Sequence, residues 1–565
     1  MTTATIPVIP ESTTLEPSRW QALAVILIAA FMVLLDTSIV TNAITKMQTD
    51  LDATYSQVQF VLTAYTVAYG MLLITGGRLG DLYGRKRVFI LGLIGFVVTS
   101  TLCGLAPSAL TLIIARILQG LSAAMVFPQI SSFIQVLFPV NERPRAFGLQ
   151  GAIIGLGIVT GPLLGGFLID ANLFGSSWRP IFLINIPIGI LAWILAARIL
   201  NESKSERAER LDIPGVLLVS VMMFLLTYPI IQGREEGWPA WIVGLLVASV
   251  PVLIGFLIYQ NRLLARGGTP LVQLSMFSDR AFAVGALITL VFQASVLSYF
   301  VAMTIFFQAG LGYSPASASL LLIAYQIAIV FGSLSSPQLG ARLGRNVLTL
   351  GIVLLSVGLV ATLLILRARA LDYQGYELIL ALLVSGFGFG CVIAPLSSII
   401  LARINPVFAG SASGVLSTIQ QLGTAIGVAL MGVIYFGQLG AQADTSSLGV
   451  TPQLEQKLQA AQLPAPAIKA IVTGFQTCFH DRSNQSDPNA IPASCQPSSA
   501  LNSALPASIG KTVEVAVSSA ATQARKQNFL EAVLVSLRFQ LVTYAICFLL
   551  IFWLPNARTT NARPA

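Results

Sequence analysis

Two charged side chains lie inside stretches that are otherwise apolar. Arg116 lies between residues 112–115 and 117–118, and Asp36 follows the run 33–35. A guanidinium in the middle of a bilayer costs about 2.5–3.5 kcal/mol on insertion scales, so it is retained where it faces a polar interior and has a partner. We therefore expect Asp36 and Arg116 to pair. Such a pair is typical of a proton-coupled transport pathway, although a structural ion pair or helix cap would have the same sequence signature.

The composition is that of an integral membrane protein. Of the 565 residues, 55% are hydrophobic and 10% are charged, whereas a soluble protein carries about 25% charged residues. The net charge is +9, but the basic residues fall in short loops between apolar stretches, where they orient helices in the membrane. This distribution argues against nucleic acid as a partner and makes membrane lipid the expected surroundings.

Hydropathy predicts an all-α fold with fourteen spans of about 20 residues, the length that crosses the hydrocarbon core. Basic residues follow the even-numbered spans 2 to 10, so the positive-inside rule puts both termini in the cytoplasm and the chain in the cytoplasmic (inner or plasma) membrane. The predicted spans are residues 20–43, 55–76, 87–105, 108–132, 146–169, 180–200, 212–232, 240–260, 281–308, 315–338, 346–366, 377–401, 410–437 and 532–554.

An internal repeat divides the chain into two halves. Residues 79–85 (LGDLYGR) align with residues 339–345 (LGARLGR), and each run follows the second span of its half. Ala341 replaces Asp81 in the second copy, so the halves differ chemically. Two parallel six-helix repeats around a central site are a transporter architecture. The predicted parts are a tail at 1–19, a six-helix bundle at 20–200, a two-helix insert at 201–280, five further spans at 281–437, an outer segment at 438–531, and a last helix with its tail at 532–565.

Two glycine-containing motifs stand out. Residues 77–87 join spans 2 and 3, and we expect their glycines to permit a tight turn and close helix contact, with Asp81 beside an arginine or a helix N-terminus. Glycines four residues apart in span 5 predict a flat surface for helix packing, and Pro162 predicts a kink there.

These motifs resemble those of the major facilitator superfamily, and in particular its fourteen-helix drug:proton antiporters. The resemblance includes residues 35–37, Gln119-Gly120 after Arg116, residues 178–187 and the glycines of span 13. It implies that the loop containing Asp81 is a cytoplasmic latch that favours the outward-facing state. The latch residues are Gly77, Asp81, Gly84, Arg85 and Lys86, and those of the antiporter motif are Gly157, Gly161, Pro162, Gly165 and Gly166.

The same resemblance implies two six-helix bundles plus two inserted helices, working as a monomeric unit without a cofactor on the energy of a proton gradient. The expected activity is export of small lipophilic compounds. Later spans carry glutamines where several multidrug relatives carry acids, which favours neutral or monocationic substrates over dications. Candidate cavity residues are Gln119, Gln293, Tyr299, Phe300, Gln326, Phe387, Gln420 and Gln421.

Other interpretations remain open. The chain could serve as a dedicated exporter of one siderophore, lipid or antibiotic, or as a non-transporting sensor that works through residues 438–531. An enzyme or a metal site is not expected, because the spans carry no His, Ser, Cys or metal-ligand constellation. Cys478 and Cys495 lie in the outer segment, where an oxidising compartment would permit a disulfide, and two free thiols are the alternative. This segment is also the expected surface for an extracytoplasmic adaptor protein.

Overall fold

The computed structural model describes residues 18–172, 175–204, 210–233, 236–369, 375–485, 492–495 and 507–555. The regular elements in these ranges are helical, which confirms the predicted all-α class. The predicted terminal tails fall largely outside them, at 1–17 and 556–565. The helices are α1 (Arg19–Ile39), α2 (Ile44–Asp50), α3 (Tyr55–Tyr83), α4 (Arg85–Gly104), α5 (Ala109–Leu137), α6 (Arg143–Ala171), α7 (Pro180–Leu183), α8 (Asn185–Ile199), α9 (Ile213–Gln232), α10 (Ala240–Ala265), α11 (Arg280–Ile305), α12 (Pro315–Leu343), α13 (Asn346–Arg369), α14 (Ile379–Leu401), α15 (Ala409–Ala441), α16 (Ala443–Ala460), α17 (Ala465–Ser483) and α18 (Ala507–Ile551).

Fourteen helical segments of the described chain are long and apolar enough to cross a membrane. An N-terminal bundle contains α1, α3, α4, α5, α6, α7 and α8, where α7 and α8 together form one span. A C-terminal bundle contains α11 to α15 and α18, and α9 and α10 form the insert between the bundles. Large apolar side chains face outward on many helices, α10 among them. Their outward position is expected where the surrounding solvent is lipid.

The turn predicted across residues 77–87 is shorter than expected. Helix α3 continues through Asp81 to Tyr83, and α4 begins at Arg85. The reversal therefore occurs at Gly84 alone, whose φ of 105° favours glycine. Gly77 lies inside a helix, where it permits close packing instead of a turn.

Small residues bring the two bundles together along two seams. In the first seam α3 meets α15, where a Cβ atom on Gly77 would collide with the Gly410 carbonyl oxygen. In the second seam α6 meets α12, and a Cβ on Gly151 would lie 2.9 Å from the Ser333 hydroxyl oxygen. Backbones approach this closely only where side chains are absent or very small.

The insert hairpin packs against α3 beside the first seam. The Ser220 hydroxyl of α9 donates to the carbonyl oxygen of Met71, and the Thr63 hydroxyl of α3 donates to Gln232, each over 3.3 Å. Helix α9 also contacts α15. The insert thus lies against both bundles.

The outer segment forms a small helical unit on the C-terminal bundle. Helices α16 and α17 pack against the first half of α18 around an apolar core of their own. The Asn528 amide donates to the Leu439 carbonyl oxygen over 3.0 Å, which joins α18 to the end of α15. Cys478 and Cys495 form a disulfide across α17 and the short turn that follows it.

Candidate coupling site and bundle latch

Asp36 and Arg116 form an ion pair inside the N-terminal bundle. Arg116 Nη1 lies 2.6 Å from Asp36 Oδ2, and the two residues are 0% and 1% exposed. The Arg116 guanidinium also donates to the Val61 carbonyl oxygen over 3.3 Å and lies 4.1 Å from the centre of the Tyr65 ring. Both charges are thus removed from solvent and satisfied by several partners, as a buried pair requires.

Two neutral amides complete the site. Gln119 Nε2 and Asn185 Nδ2 each donate to Asp36 Oδ1 over 2.8 Å. The Gln119 side-chain oxygen accepts from Arg116 over 2.8 Å, so Gln119 bridges the acid and the base. Gln119, a candidate cavity residue from the sequence, is thus placed by the structure in direct contact with the ion pair.

Asn185 was missed as a site residue, although residues 178–187 were noted as a motif. It lies at the start of α8, directly after the break at Ile184, and its amide also donates to Ser100 over 3.0 Å. A neutral asparagine beside a proline-containing break carries no charge signal in the sequence. The interrupted helix was the available cue, because such breaks mark binding sites in transporters.

The ion pair lies toward one end of the spans. Asp36 is the eighteenth of the 21 residues of α1, and Arg116 is the eighth of the 29 residues of α5. At about 1.5 Å per residue, Arg116 is about 10 Å from the first residue of its helix. Both residues therefore lie toward the ends of α1 and α5 that are farther from the Gly84 turn.

Helix α6 carries glycines on two faces. Gly157 and Gly161 face α1, where added Cβ atoms would meet Leu34 and Ser38, and the Ser38 hydroxyl donates to the Gly157 carbonyl oxygen over 3.1 Å. Pro162 follows Gly161 directly, and Gly165 and Gly166 lie about one turn further along the same continuous helix. The antiporter motif therefore packs directly against the helix that carries Asp36.

Asp81 bonds across the two bundles. Its carboxylate accepts the backbone N–H of Gly410 over 3.0 Å and that of Ser411 over 2.9 Å, at the first turn of α15. A helix N-terminus stabilises a carboxylate because its N–H groups are unpaired and its dipole is positive there. Asp81 is 0% exposed, so this contact is dry.

Arg85 strengthens the same contact. Its guanidinium donates to Asp81 over 2.7 Å and to the Pro406 carbonyl oxygen over 3.1 Å. Lys86 lies outside this contact and donates to the Ala197 carbonyl oxygen over 2.8 Å. Asp81 and Arg85 together form what we call the latch, and the start of α15 donates its backbone N–H groups to it.

The other candidate cavity residues lie in the C-terminal bundle. Tyr299 and Phe300 are buried against the ring of Tyr325, with ring centres 5.4 and 5.0 Å away. Gln326 is also buried, whereas Gln293, Phe387, Gln420 and Gln421 are half-buried. Gln421 lies beside Gly70 at the first seam.

A two-bundle helical fold with a latch between its halves and a buried ion pair in one half is that of a membrane transporter. The family model described as Major Facilitator Superfamily matches residues 26–428. The chain therefore belongs to the major facilitator superfamily, as the sequence motifs predicted. Its family and fold are those of transporters and not of enzymes.

Known relatives cover most of the chain. The "Probable actinorhodin transporter" of Streptomyces coelicolor is 38% identical over 95% of this chain and 92% of its own length. The "Puromycin resistance protein pur8" of Streptomyces alboniger is 34% identical over 75% and 84%. The "Multidrug resistance protein Stp" of Mycobacterium tuberculosis is 31% identical over 77% and 79%.

Solved structures agree on the fold. The human organic anion transporter MFSD10 superposes with a TM-score of 0.53 at 15% identity, over 74% of this chain and 94% of its own. The proton:xylose symporter XylE superposes with a TM-score of 0.53 at 14% identity, over 74% and 89%. At such identities the likeness shows the fold alone.

Proposed function

We propose that the protein exports small lipophilic compounds across the cytoplasmic membrane in exchange for protons, with both termini in the cytoplasm. The observation that carries the proposal is the sealed Asp36–Arg116 pair. An ionisable residue inside a membrane bundle is costly and is typical of proton relays. The drug and antibiotic transporters among the relatives support export as the direction of transport.

The geometry gives a route from proton binding to bundle movement. A proton on Asp36 Oδ2 removes the negative charge that faces Arg116 at 2.6 Å, and the guanidinium keeps its neutral acceptors, Val61 and Gln119. Helix α1 would then repack on Gly157 and Gly161 of α6. The opposite face of α6 contacts α12 of the other bundle, so a change at Asp36 reaches the second seam through two contacts.

The energy of one proton per cycle suffices for useful export. Moving one elementary charge across a membrane is worth about 2.3 kcal/mol per 100 mV. A potential of about 150 mV therefore sustains a ratio of outer to inner substrate concentration of about a few hundred. The latch favours the conformation in which the side that carries the Gly84 turn is closed. We assign that side to the cytoplasm from the basic residues that follow α3.

A dedicated exporter of one antibiotic or related metabolite is an equally supported function. The relative named for actinorhodin matches 95% of this chain, including the outer segment, at 38% identity. A cell that expresses the protein should be challenged with chemically diverse toxins. Protection against several of them supports the multidrug form, and protection against one compound supports the dedicated form.

Dye efflux from proteoliposomes under an imposed pH gradient tests the coupling. We expect wild-type protein to move a lipophilic fluorescent dye against the concentration gradient of the dye. Asp36→Asn should lose this uphill movement. Asp36→Asn with Arg116→Gln separates lost coupling from the cost of an unpaired buried charge, since it leaves no charge in the site. Asp444→Asn, a carboxylate of the outer segment 69% exposed at its side chain, is the matched control. Uphill efflux by Asp36→Asn at the wild-type rate would refute proton coupling at this residue.

A further inference from the structure

The insert hairpin has a polar base close to the latch. Asp212, immediately before α9, accepts the Gly215 N–H over 2.9 Å, the Tyr259 hydroxyl over 2.7 Å and the Gln260 amide over 2.6 Å. Tyr259 and Gln260 belong to the last turns of α10. This carboxylate therefore holds together the two ends of the hairpin.

Gln260 also binds the segment that leaves the hairpin. Its side-chain oxygen accepts the N–H of Val272 over 3.1 Å, and both Val272 and the preceding Leu271 are buried. A glutamine that donates at one end and accepts at the other fixes both of its partners. Residues 271–272 are thus held at the base of the hairpin.

Ser411 connects this segment to the latch. Its hydroxyl donates to the Leu271 carbonyl oxygen over 3.0 Å, while its backbone N–H donates to Asp81 over 2.9 Å. One residue at the start of α15 therefore bonds to the insert through its side chain and to the latch through its backbone. The residues that connect the hairpin to the latch are buried, which strengthens their hydrogen bonds: Asp212, Gln260, Leu271, Val272, Ser411 and Asp81.

We propose that the two-helix insert holds the start of α15 in place for the latch, through Asp212, Gln260 and Ser411. The hairpin is bound to α3 at Met71 and Thr63, so it stays with the N-terminal bundle when the bundles separate. Opening the latch then requires the Ser411–Leu271 bond to break as well. The insert thereby raises the population of the latched state, and Asp212, Gln260 and Ser411 position α15 without contacting substrate.

Spin labels across the latch side test this role without any transport assay. Val140 and Ala402 are exposed residues of the two bundles, next to α6 and after α14. Cysteines placed there and labelled allow the distance distribution to be measured by double electron–electron resonance in reconstituted protein. The labelled parent should show mainly the short distance of the latched state, and Asp81→Asn should shift the distribution to longer distances.

Ser411→Ala is the decisive variant because it removes the hydroxyl and keeps the N–H that binds Asp81. Loss of one neutral hydrogen bond corresponds to a change of about three- to tenfold in an equilibrium, so we expect the ratio of long to short distances to rise by that factor. Gln260→Leu should have the same effect, and the double variant should add little. Ser336→Ala is the matched control, since that buried hydroxyl bonds only within α12.

The proposal is overturned if Ser411→Ala and Gln260→Leu both keep the parent distribution while Asp81→Asn shifts it. It is also overturned if Asp81→Asn itself causes no shift, because the insert then has no latch to support. Size-exclusion chromatography identifies any variant that fails to fold, and either single variant is sufficient for the test. None of these outcomes depends on proton coupling, so the proposed function can fail while this inference holds.

Discussion

The two bundles have the same framework and different chemistry. Tyr65 and Tyr325 each lie fourteen residues before the aligned leucines of the repeat, Leu79 and Leu339, and both tyrosines are buried. In the N-terminal bundle the Tyr65 ring faces the guanidinium of Arg116 at 4.1 Å. In the C-terminal bundle the equivalent ring of Tyr325 packs against three other aromatic rings.

Helix packing supports this equivalence. A Cβ atom added to Gly120 would meet the Tyr65 carbonyl oxygen at 2.5 Å, and one added to Gly386 would collide with that of Tyr325. Four residues before these glycines stand Arg116 in one bundle and Leu382 in the other. The repeat thus preserves the contact between helices, whereas the charge is present in one copy. A single ionisable site in one bundle is sufficient to make the two bundles respond differently to a proton.

Replacing Arg116 by leucine makes the N-terminal site resemble its counterpart and should have the largest effect. It leaves the Asp36 carboxylate buried without its cation, which costs about 3–5 kcal/mol for such pairs. Thermal unfolding in detergent should show a large loss of stability. Leu382→Met, a substitution of similar volume in the other bundle, should cost less than about 1.5 kcal/mol. Equal losses in the two variants would contradict the distinction between the bundles.

The latch offers a second comparison, between Asp81 and its counterpart Ala341. Asp81→Asn weakens hydrogen bonds made to a charged acceptor, which is a loss of about 1.5–3 kcal/mol. The ratio of latched to open protein should therefore fall about tenfold or more. Alkylation of a cysteine introduced at Ile74, which lies beneath Gly414 in the seam, reports this opening.

Ala341→Asp supplies the missing carboxylate to the second copy and serves as the matched variant. Ala341 is exposed, and Arg345 beside it donates to the carbonyl oxygens of Phe552 and Leu554 in its own bundle. We expect the free energy of unfolding to change by no more than about 0.5 kcal/mol, as for other surface substitutions. A strong response to this variant would show that the second copy also acts as a latch.

The smallest effect is expected at a pair of glycines that the repeat aligns. An added Cβ at Gly80 would collide with the buried amide of Gln129, whereas at Gly340 its nearest neighbour is a Val347 methyl 4.0 Å away. Gly80→Ala should therefore destabilise by overpacking, and Gly340→Ala should stabilise its helix by about 0.5–1 kcal/mol. Melting temperatures that move in the same direction would show that the ends of α3 and α12 pack alike.

The parts of the site that carry charge could be predicted from sequence, and the parts built from backbone could not. Asp36 and Arg116 were identified because a charge in an apolar stretch demands a partner, and Asp81 was identified from the motif at residues 77–87. A helix N-terminus was expected as one possible partner of Asp81, but the sequence could not place it at α15, since backbone N–H groups at a helix start are present for any residue type. The sequence analysis separates the outer segment at 438–531 from the last helix at 532–565, whereas α18 runs without interruption from Ala507 to Ile551.

Helix α18 is continuous over 45 residues, about 65 Å at the usual rise per residue. Helices α16 and α17 pack against its first half, and its second half belongs to the C-terminal bundle. If that bundle tilts, the N-terminal end of α18 therefore moves further than the residues at the seam.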